Sequence, residues 1–430
     1  MIIVPNRGRK KIRNFFLAFY FMYMLDPFFI NSVMRLHRLV YYIIAITPVV
    51  VFIAEKQWSI KTKNVFKLFF ELALIYTLWS FLMSGILGGD FWYASDYIKW
   101  IFKIINSCSL FIIWKNLYKK NRVTSDFETI FVNAVLLYIL FSILFLLLPS
   151  LKTFWISFIY NDKQPLYIIK DSSYATRYGP AGWSSFSEAY MSLFGSLALI
   201  GQYLKRSIPK KVFSIKIIIL TTGCFLYGRF ALVIQLLFLG IFILYTIIKE
   251  KKIWVLGGAC IVAATGIASI IFLHNYSTAT KDVITWVFEP LLNFYTNKTF
   301  AVNSTYELAN MYKYFSPSVH EILVGSGKWY ELNGMPYKYT DVGFMRNIYF
   351  NGLLGSILLY GTDIYLINIF AKTFAEMNRG KGKWIMFILL LIILISADLK
   401  GSMAVTFIRY LLPLILANFY YQSHRKMEIE

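Results

Sequence analysis

The sequence predicts an all-α membrane protein that crosses a bilayer many times. Its composition is 58% hydrophobic and only 15% charged, and its mean hydropathy is +0.57. Apolar runs of about 17 to 25 residues recur along the whole chain, and each is long enough to cross a hydrocarbon core of about 30 Å. Basic residues collect in alternate connections between these runs. We therefore expect about twelve transmembrane helices, with both chain termini in the cytoplasm.

The first span follows a basic start that includes Arg7, Arg9 and Arg13. No small-residue cleavage site follows this apolar run, so it is predicted to be a span rather than a signal peptide. The twelve predicted spans are residues 14–30, 39–54, 65–87, 98–116, 127–149, 184–204, 212–226, 229–248, 253–274, 346–371, 383–398 and 402–421.

The connections give the orientation. Those assigned to the cytoplasm are rich in Lys and Arg and read EKQWSIKTK, KNLYKKNR, KRSIPKK, KEKK and KTFAEMNRGKGK, whereas the outer connection GGDFWYASD is acidic and aromatic. This alternation follows the positive-inside rule. The net charge of +22 is therefore mostly a sign of topology, and no nucleic-acid partner is expected.

Three regions follow from this order. Residues 1–274 carry spans one to nine and include an outer loop over 150–183, residues 275–345 form a large outer loop, and residues 346–430 carry the last three spans. Two amphipathic helices are expected in the large loop. Helical spacing relates Val283, Val287, Leu291 and Phe294, and again Leu308, Met311, Tyr312 and Phe315. The second helix follows Ser304 and Glu307, which have the spacing of a capping box.

Arg229 is predicted at the tip of a tight hairpin, YGRFALVIQ, between two apolar runs. This position puts a guanidinium at the outer end of a span and beside a helix N-terminus. A planar guanidinium matches phosphate oxygens, and a helix N-terminus carries partial positive charge, so both features favour an anion. The alternative is an arginine that snorkels to the membrane interface.

A polar stripe is predicted at the start of the sixth span, shortly after Arg177. Ser185, Glu188, Ser192 and Ser196 are spaced by 3, 4 and 4 residues, which places them on one helical face. Glu188 can orient a substrate hydroxyl or pair with an arginine; a purely structural ion pair is the alternative.

Asp341 and Arg346 occur together where the large loop meets the tenth span. The neighbouring Gly343, Gly352 and Gly355 allow close backbone approach, which suits a site at the outer interface. The alternative for Asp341 is an acid that stabilises the N-terminus of the following helix.

Other charged groups have alternative roles or none. Asp398, Lys400 and Arg409 form either an ion-pair cluster or an extension of the anion site, while Asp26 and Asp363 receive no role. The four histidines, at positions 37, 274, 320 and 424, lack the spacing of a zinc site, and no nucleotide-binding loop is present. No metal or cofactor is expected. The three cysteines, Cys108, Cys224 and Cys260, fall in apolar segments and do not indicate a disulfide framework.

Four segments resemble the motifs of one family. Arg229 is followed by Gly240 in an R-x10-G pattern. RYGP…SFSEAY over 177–190 is similar to an arginine-then-Glu-Pro-Ser segment, with Ala189 in place of the Pro. ILVGSG over 322–327 is similar to a glycine turn in a large periplasmic loop, and TDVGFMR followed by GLLG is similar to a closing motif. In these segments the chain resembles the Wzy-type O-antigen polymerases, which are relatives of the O-antigen ligases.

The resemblance implies a glycosyltransferase that joins oligosaccharide units carried on undecaprenyl diphosphate, at the outer face of a bacterial inner membrane. Breaking the bond between sugar C1 and phosphate requires stabilisation of the negative charge on the departing diphosphate, and such stabilisation is usually the largest catalytic effect. Arg177, Arg229 and Arg346 are the predicted diphosphate-binding residues, and Arg409 is a secondary candidate.

A carboxylate is expected to deprotonate the acceptor hydroxyl as it attacks C1 with inversion. A general base typically contributes about 10²–10⁴-fold, and Asp341 is the first candidate and Glu188 the second. Ligases of this superfamily carry a His before the helix that follows the large loop. Asp341 occupies the comparable position here, while His320 lies upstream of the glycine turn, and this favours a polymerase.

Two other classes of function compete with the polymerase and ligase readings. A flippase or other secondary transporter also predicts about twelve spans, but it usually shows two similar halves and charges near the membrane midplane. A noncatalytic assembly factor is the third reading. The expected partners of a polymerase are the lipid-linked oligosaccharide, membrane lipid and a Wzz-type chain-length regulator.

Overall fold

A computed structural model describes residues 6–25, 46–47, 49–56, 58–120, 122–158, 178–183, 186–251, 278–299, 302–331, 335–378 and 380–427. Within these ranges the protein is mainly α-helical, as the sequence predicts. The elements are α1 (Asn6–Leu25), α2 (Ile60–Ile86), α3 (Phe91–Lys119), α4 (Phe127–Leu147), α5 (Pro149–Phe158), β1 (Tyr178–Gly179), β2 (Gly182–Trp183), α6 (Phe186–Leu204), α7 (Lys210–Tyr227), α8 (Arg229–Glu250), α9 (Thr278–Asn297), α10 (Asn303–Lys313), α11 (Val319–Leu323), a 3₁₀ turn (Tyr337–Tyr339), α12 (Gly343–Met377), α13 (Lys383–Lys400) and α14 (Ala404–Met427).

Six helices of the described ranges are long and apolar enough to cross a membrane, namely α2, α3 from Tyr93, α4, α8, α12 and α14. They coincide with six of the predicted spans. The chain is therefore an α-helical membrane protein. Helices α1, α6, α7 and α13 also overlap predicted spans. The span predicted over 253–274 lies outside the described residues. Of the span predicted over 39–54, only residues 46–47 and 49–54 are described, and they are helical.

The structure adds detail at two places and corrects one local prediction. Helix α1 begins at Asn6, so the basic N-terminal segment is itself helical. The outer-loop region 150–183 contains helix α5 and a two-stranded antiparallel hairpin, β1–β2, in which Tyr178 pairs with Trp183. The predicted capping box at Ser304 is wrong, because α10 begins at Asn303, two residues earlier than a cap at Ser304 requires, with Val302 at its N-cap and no side-chain cap.

A capping box does occur at α11. The Ser318 side chain accepts a hydrogen bond from the Glu321 N–H at 3.2 Å, and the Glu321 carboxylate accepts one from the Ser318 N–H at 2.8 Å. The two bonds satisfy donors that a helix N-terminus leaves unpaired. Ser318 and Glu321 have the same S-x-x-E spacing as the predicted pair, so the spacing alone does not select the right helix start.

The chain divides into two compact units. Unit 1 comprises Met1–Thr47 and Ile113–Phe300, and unit 2 comprises Pro48–Ile112 and Ala301–Glu430. In unit 1, α4 packs against α1, α6 and α7. Gly223 on α7 permits a close approach there, because a Cβ at this position would lie 2.5 Å from Ile139 and 2.7 Å from Ser192.

Unit 2 is built around α12, which packs against α2, α11, α13 and α14. This helix is broken at Gly352, whose φ of 66° and ψ of −171° are open in practice only to glycine. The break frees backbone carbonyls that an apolar environment cannot satisfy. Other parts of unit 2 supply the donors.

The donors come from the glycine turn over 325–327 and from α2. The N–H groups of Ser326 and Gly327 donate to the carbonyls of Tyr349 and Phe350 at 2.6 and 3.0 Å. The Trp79 indole donates to the carbonyl of Asn351 at 3.0 Å. The glycine turn and the closing motif, which the sequence presents as two separate patterns, therefore pack as one structure.

Candidate functional site

The acid and the arginine that the sequence selected in this region lie on either side of the start of α12, with Asp341 just before its N-cap, Val342, and Arg346 at the end of its first turn. Val342, fully buried, anchors the turn, and Met311 and Leu308 of α10 pack against the same cluster. Asp341, by contrast, is exposed, and its carboxylate has no hydrogen-bond or ion-pair partner among the described residues. An exposed, uncommitted carboxylate can accept a proton from a bound molecule.

Arg346 lies one turn further along and is half-buried. Its guanidinium carbon is 4.0 Å from the centroid of the Trp329 ring and 5.5 Å from that of Tyr330. One terminal nitrogen donates to the Trp329 carbonyl at 3.2 Å, while Nε is buried without a hydrogen-bond partner. Within the described part of the chain no carboxylate forms an ion pair with Arg346, so its positive charge remains available to an anion.

Asp90 holds the segment that carries this aromatic support. Its carboxylate accepts hydrogen bonds from the N–H groups of Trp329 and Tyr330, both at 2.9 Å. The Trp329 ring also stacks on Tyr93, with centroids 3.7 Å apart and an interplanar angle of 9°. From the sequence, Asp90 indicates only that its connection is acidic and lies on the outer side. Its role in binding Trp329 and Tyr330 could not be predicted, because these residues lie 239 and 240 positions away.

Asp398 lies directly against the start of α12. A Cβ on Gly343 would lie 2.8 Å from the Asp398 carboxyl carbon, so only glycine allows this approach. The carboxylate accepts hydrogen bonds from the Met403 N–H at 2.7 Å and from the Tyr360 hydroxyl. Asn347 adds a longer contact of 3.5 Å. Gly343 was predicted to permit close approach, but the residue that approaches it was not identified from sequence.

A second charged group stabilises the loop ahead of α12. Lys338 pairs with Glu321 at 3.0 Å, and the Tyr337 hydroxyl donates to the same carboxylate at 3.1 Å. Partial burial alone would raise the pKa of Glu321, but the Ser318 N–H bond and the bond and charge of Lys338 together lower it. Partial burial would lower the pKa of Lys338, but its bond to Glu321 and the charge of Glu321 raise it.

In unit 1, Arg229 is the first residue of α8, as the sequence predicts. Gly228 is the N-cap and provides no side-chain cap. The Arg229 guanidinium forms an ion pair with Glu289 of α9 at 2.6 Å, with side-chain exposures of 19% and 37%. Arg229 therefore binds a carboxylate of the chain itself, at the position where the sequence predicted that it binds an anionic ligand. Glu289 was missed because it lies 60 positions away along the chain.

Glu188 is buried near the start of α6 and accepts a hydrogen bond from the Ser187 hydroxyl at 2.7 Å. Ser192 and Ser196 are also buried, and each donates to the carbonyl four residues earlier, at 3.1 Å. The predicted polar stripe thus serves helix packing at these two serines. Ser185 lies outside the described residues.

Arg177 also lies outside the described residues, but the hairpin that follows it is well anchored. The Trp155 indole donates to the Pro180 carbonyl at 2.9 Å, and Lys152 lies 5.3 Å from the Tyr178 ring centroid. Arg409, the secondary candidate, is buried in α14, and its backbone carbonyl accepts a hydrogen bond from Ser107 at 2.5 Å.

The predicted site residues therefore fall into two groups. Asp341 and Arg346 share the start of α12 in unit 2, with Arg409 in the same unit, whereas Glu188 and Arg229 belong to unit 1. The described residues contain no cluster of three or more His, Cys, Asp or Glu side chains that could hold a metal ion. No protein-family model matches the sequence, and no curated protein matches it either.

Proposed function

We propose that the protein is a membrane glycosyltransferase that polymerises oligosaccharide units carried on a lipid diphosphate, in the manner of an O-antigen polymerase. In this proposal the chain crosses a bacterial inner membrane twelve times, with both termini in the cytoplasm. The large loop over 275–345 faces the periplasm, where undecaprenyl-diphosphate-linked units are the substrate. A Wzz-type regulator of chain length is the proposed protein partner.

The observation that carries the proposal is that the guanidinium of Arg346 is half-buried and forms no ion pair with any described carboxylate. A half-buried guanidinium normally has a carboxylate partner, because an uncompensated charge in such a place is unfavourable. Arg346 instead has one face on the Trp329 ring and a buried Nε without a partner. A rigid, uncompensated guanidinium fits a ligand that supplies its own negative charge, and a diphosphate leaving group has that property.

Asp341 supplies the second requirement of glycosyl transfer. Its exposed, unpaired carboxylate lies five residues before Arg346 at the same helix start. In the proposed reaction this carboxylate takes the proton of an acceptor hydroxyl, the hydroxyl oxygen bonds to the sugar C1, and the C1–phosphate bond breaks. The electron pair of that bond leaves with the diphosphate, and Arg346 stabilises the resulting charge. Glu188 is the alternative base.

Arg229 and Arg177, which both belong to unit 1, are the other proposed diphosphate-binding residues. The ion pair between Arg229 and Glu289 is an interaction that an arriving diphosphate can replace, because both groups are partly exposed. Arg409 remains a secondary candidate. This part of the proposal requires Arg229 to exchange Glu289 for substrate.

The test is the length distribution of the surface polysaccharide made by cells that carry single variants. Asp341→Asn, Arg346→Gln, Arg229→Ala and Arg177→Ala are each expected to reduce the ladder to single units while the protein still reaches the membrane. Glu307→Gln and Arg122→Ala are matched controls, since both residues are exposed, and they should leave the ladder unchanged. Full-length ladders from Asp341→Asn and Arg346→Gln would reject the proposal.

Secondary transport is a second candidate function, favoured by one observation. Asp363 is fully buried within α12, and neither carboxylate oxygen has a hydrogen-bond partner among the described residues. Ionisable groups inside membrane helices commonly mark transport pathways. Deleting the gene separates the candidates. Loss of a polymerase leaves single units on the surface, loss of a flippase removes the polymer, and loss of a ligase leaves polymer on the carrier lipid.

A further inference from the structure

Asp363 occupies an environment that no part of the proposed glycosyl transfer uses. It lies near the middle of α12 and is fully buried. Both carboxylate oxygens are buried and lack hydrogen-bond partners within the described residues. An ionised carboxylate in such a place is strongly unfavourable, and the group becomes neutral by taking up a proton.

A second buried carboxyl group, Asp398 on α13, is bound to the same stretch of α12, because it accepts a hydrogen bond from the hydroxyl of Tyr360, one helical turn before Asp363. The two groups differ in their hydrogen bonding. Asp398 accepts bonds from the Met403 N–H and the Tyr360 hydroxyl, and these bonds stabilise its ionised form. Asp363 has no such donors. When two neighbouring carboxyl groups lie in unlike environments, the group whose ionised form is less stabilised binds the proton more tightly. That group is Asp363.

Among the described residues, the surroundings of the two carboxyl groups contribute tyrosine hydroxyl groups. Tyr76 of α2 and Tyr97 of α3 pack in one buried cluster with Leu359 of α12, and the neighbouring Tyr360 donates its hydroxyl hydrogen bond to Asp398. The rings of Tyr76 and Tyr97 lie 4.5 Å apart. Asn351 donates to the Tyr76 hydroxyl at 2.8 Å, and Asn347 donates to that of Tyr360 at 2.6 Å.

The basic residues on the neighbouring helices do not neutralise Asp363. Helix α14 contributes Ala404 and Val405 to the apolar cluster around Tyr76 and Tyr97. Arg409, further along α14, lies with its guanidinium carbon 5.5 Å from the Tyr410 ring centroid. Lys400 ends α13. Asp363 forms no ion pair with either residue.

We propose that Asp363 and Asp398 form a proton-binding site in the membrane-buried part of unit 2, in which Asp363 holds an exchangeable proton and Asp398 is its charged partner. The site takes a proton as its ligand, and the tyrosine hydroxyls line its surroundings. This inference does not depend on glycosyl transfer. It holds for a polymerase and for a transporter alike, because it rests only on buried groups of unit 2.

The first test is infrared spectroscopy of the full-length protein in lipid nanodiscs. The carbonyl band of a protonated carboxylic acid is distinct from that of a carboxylate. Wild-type protein at neutral pH is expected to show this band, and Asp363→Asn should lack it while remaining folded, because Asn has nearly the shape of a protonated Asp. Glu71→Gln, on an exposed part of α2, is the matched control and should retain it. A band that Asp363→Asn leaves unchanged would overturn the proposal.

Two further measurements test the partner and the ligand. Asp398→Asn removes the neighbouring negative charge, so the Asp363 band should disappear at a lower pH than in wild-type protein; an unchanged titration would reject the pairing. Replacing choline by sodium at constant pH should leave the band unchanged. If sodium abolishes the band, the site binds a metal cation rather than a proton, and the proposal fails.

Dicyclohexylcarbodiimide gives an independent chemical readout. The acid proton moves to a carbodiimide nitrogen, the carboxyl oxygen bonds to the central carbon, and rearrangement leaves a stable adduct that contains all the reagent atoms. Mass spectrometry should find this adduct on Asp363, with labelling that falls as pH rises. Labelling of Asp398 in preference to Asp363 would contradict the proposed location of the proton.

Discussion

Arg346 shows how one side chain is prepared to bind an anion. Its guanidinium is fixed against Trp329 by stacking and by a hydrogen bond to that residue's carbonyl. We predict that Arg346→Lys retains the charge but loses the planar contact, so activity falls without disappearing. Arg346→Gln should lower turnover about 10²–10³-fold, the usual effect of removing one donor to a developing oxyanion. Polymerisation of a defined lipid-linked oligosaccharide by purified protein measures both effects.

The control for this prediction is Lys328→Gln, an exposed charge removed from the same segment. It should leave turnover close to that of the wild-type protein. If Lys328→Gln and Arg346→Gln lower activity equally, the effect comes from overall charge and not from the position of the guanidinium.

The pairing of Arg229 with Glu289 leads to a second prediction. If the diphosphate replaces Glu289, then Glu289→Gln removes a competing anion and should lower KM with little change in kcat. Partly exposed ion pairs contribute up to about 1 kcal/mol, which corresponds to about a fivefold change in affinity. A higher KM in Glu289→Gln would instead indicate that Glu289 positions Arg229. Asp126→Asn, a helix-cap acid elsewhere in unit 1, is the control.

The pair formed by Glu321 and Lys338 predicts a pH dependence. Because the pKa of Glu321 is lowered in the folded protein, the stabilisation is complete above the ordinary glutamate value of about 4.3. It is lost as pH falls through the lowered pKa. Amide protection around Ser318 should therefore decrease in acid. Glu321→Gln keeps a side-chain acceptor for the capping box but removes the charge that pairs with Lys338. It should reduce that protection by up to about fivefold at neutral pH, for a partly exposed ion pair worth up to about 1 kcal/mol.

Hydrogen-exchange mass spectrometry at several pH values, corrected for intrinsic exchange, measures this effect. The exposed Glu307 offers a control, since Glu307→Gln should keep the wild-type profile. Equal protection of Glu321→Gln and wild-type protein at neutral pH would show that the ion pair of Glu321 with Lys338 contributes nothing to the stability of the loop.

At the scale of single residues, the sequence was sufficient where the signal was local. Arg229 was placed correctly at a helix start, because a glycine between two apolar runs marks the break. Its partner Glu289 and the support of Arg346 by Trp329 were not predictable, since these contacts depend on how distant segments fold together. Asp398 was assigned to either of two roles, and the structure places it against Gly343.

At the scale of elements, the break in α12 is the feature that organises unit 2. Hydropathy predicts one continuous span here, because a single glycine hardly changes the average over a membrane-length window. The break depends instead on donors from elsewhere, namely Ser326, Gly327 and Trp79. The two glycine patterns were recognised separately, but their packing against each other required the structure.

We predict that Gly352→Ala destabilises unit 2 strongly. Its positive φ alone costs about 1–3 kcal/mol for a residue with a side chain, and the added Cβ would lie 2.5 Å from the Leu323 carbonyl oxygen. Gly361→Ala in the same helix is the matched control, because a Cβ there meets nothing within 4 Å. The control should be neutral or stabilise by up to about 1 kcal/mol. Thermal unfolding in detergent measures both, and an unaffected Gly352→Ala would show that the helix is continuous.

At the scale of the whole molecule, the positions of the helices were predictable and their arrangement was not. Apolar runs and basic connections located α4 and α14 within a few residues, because transfer into a membrane depends mainly on composition and length. The division into two units, with α3 contributing residues to both, has no counterpart in hydropathy. The division depends on which helical faces fit closely together. One such contact in unit 1 is that of Gly223 on α7 with Ile139 on α4.

The twelve-span proposal makes a parity prediction that can be measured on the full-length chain. Five proposed spans separate Lys120 from Tyr314, so the two residues should lie on opposite sides of the membrane. Both are exposed. In a background without native cysteines, Tyr314→Cys should react with an impermeant maleimide in cells whose outer membrane is opened, whereas Lys120→Cys should react only after the inner membrane is lysed. If residues 253–274 do not cross the membrane, only four spans remain between these positions, and both cysteines would then react under the same condition. Ser207→Cys is a second control, because three proposed spans separate Ser207 from Tyr314, and it should react like Lys120→Cys. Labelling of Ser207→Cys in unlysed cells would contradict the proposed orientation. The basic connection KRSIPKK would then lie outside, against the positive-inside rule.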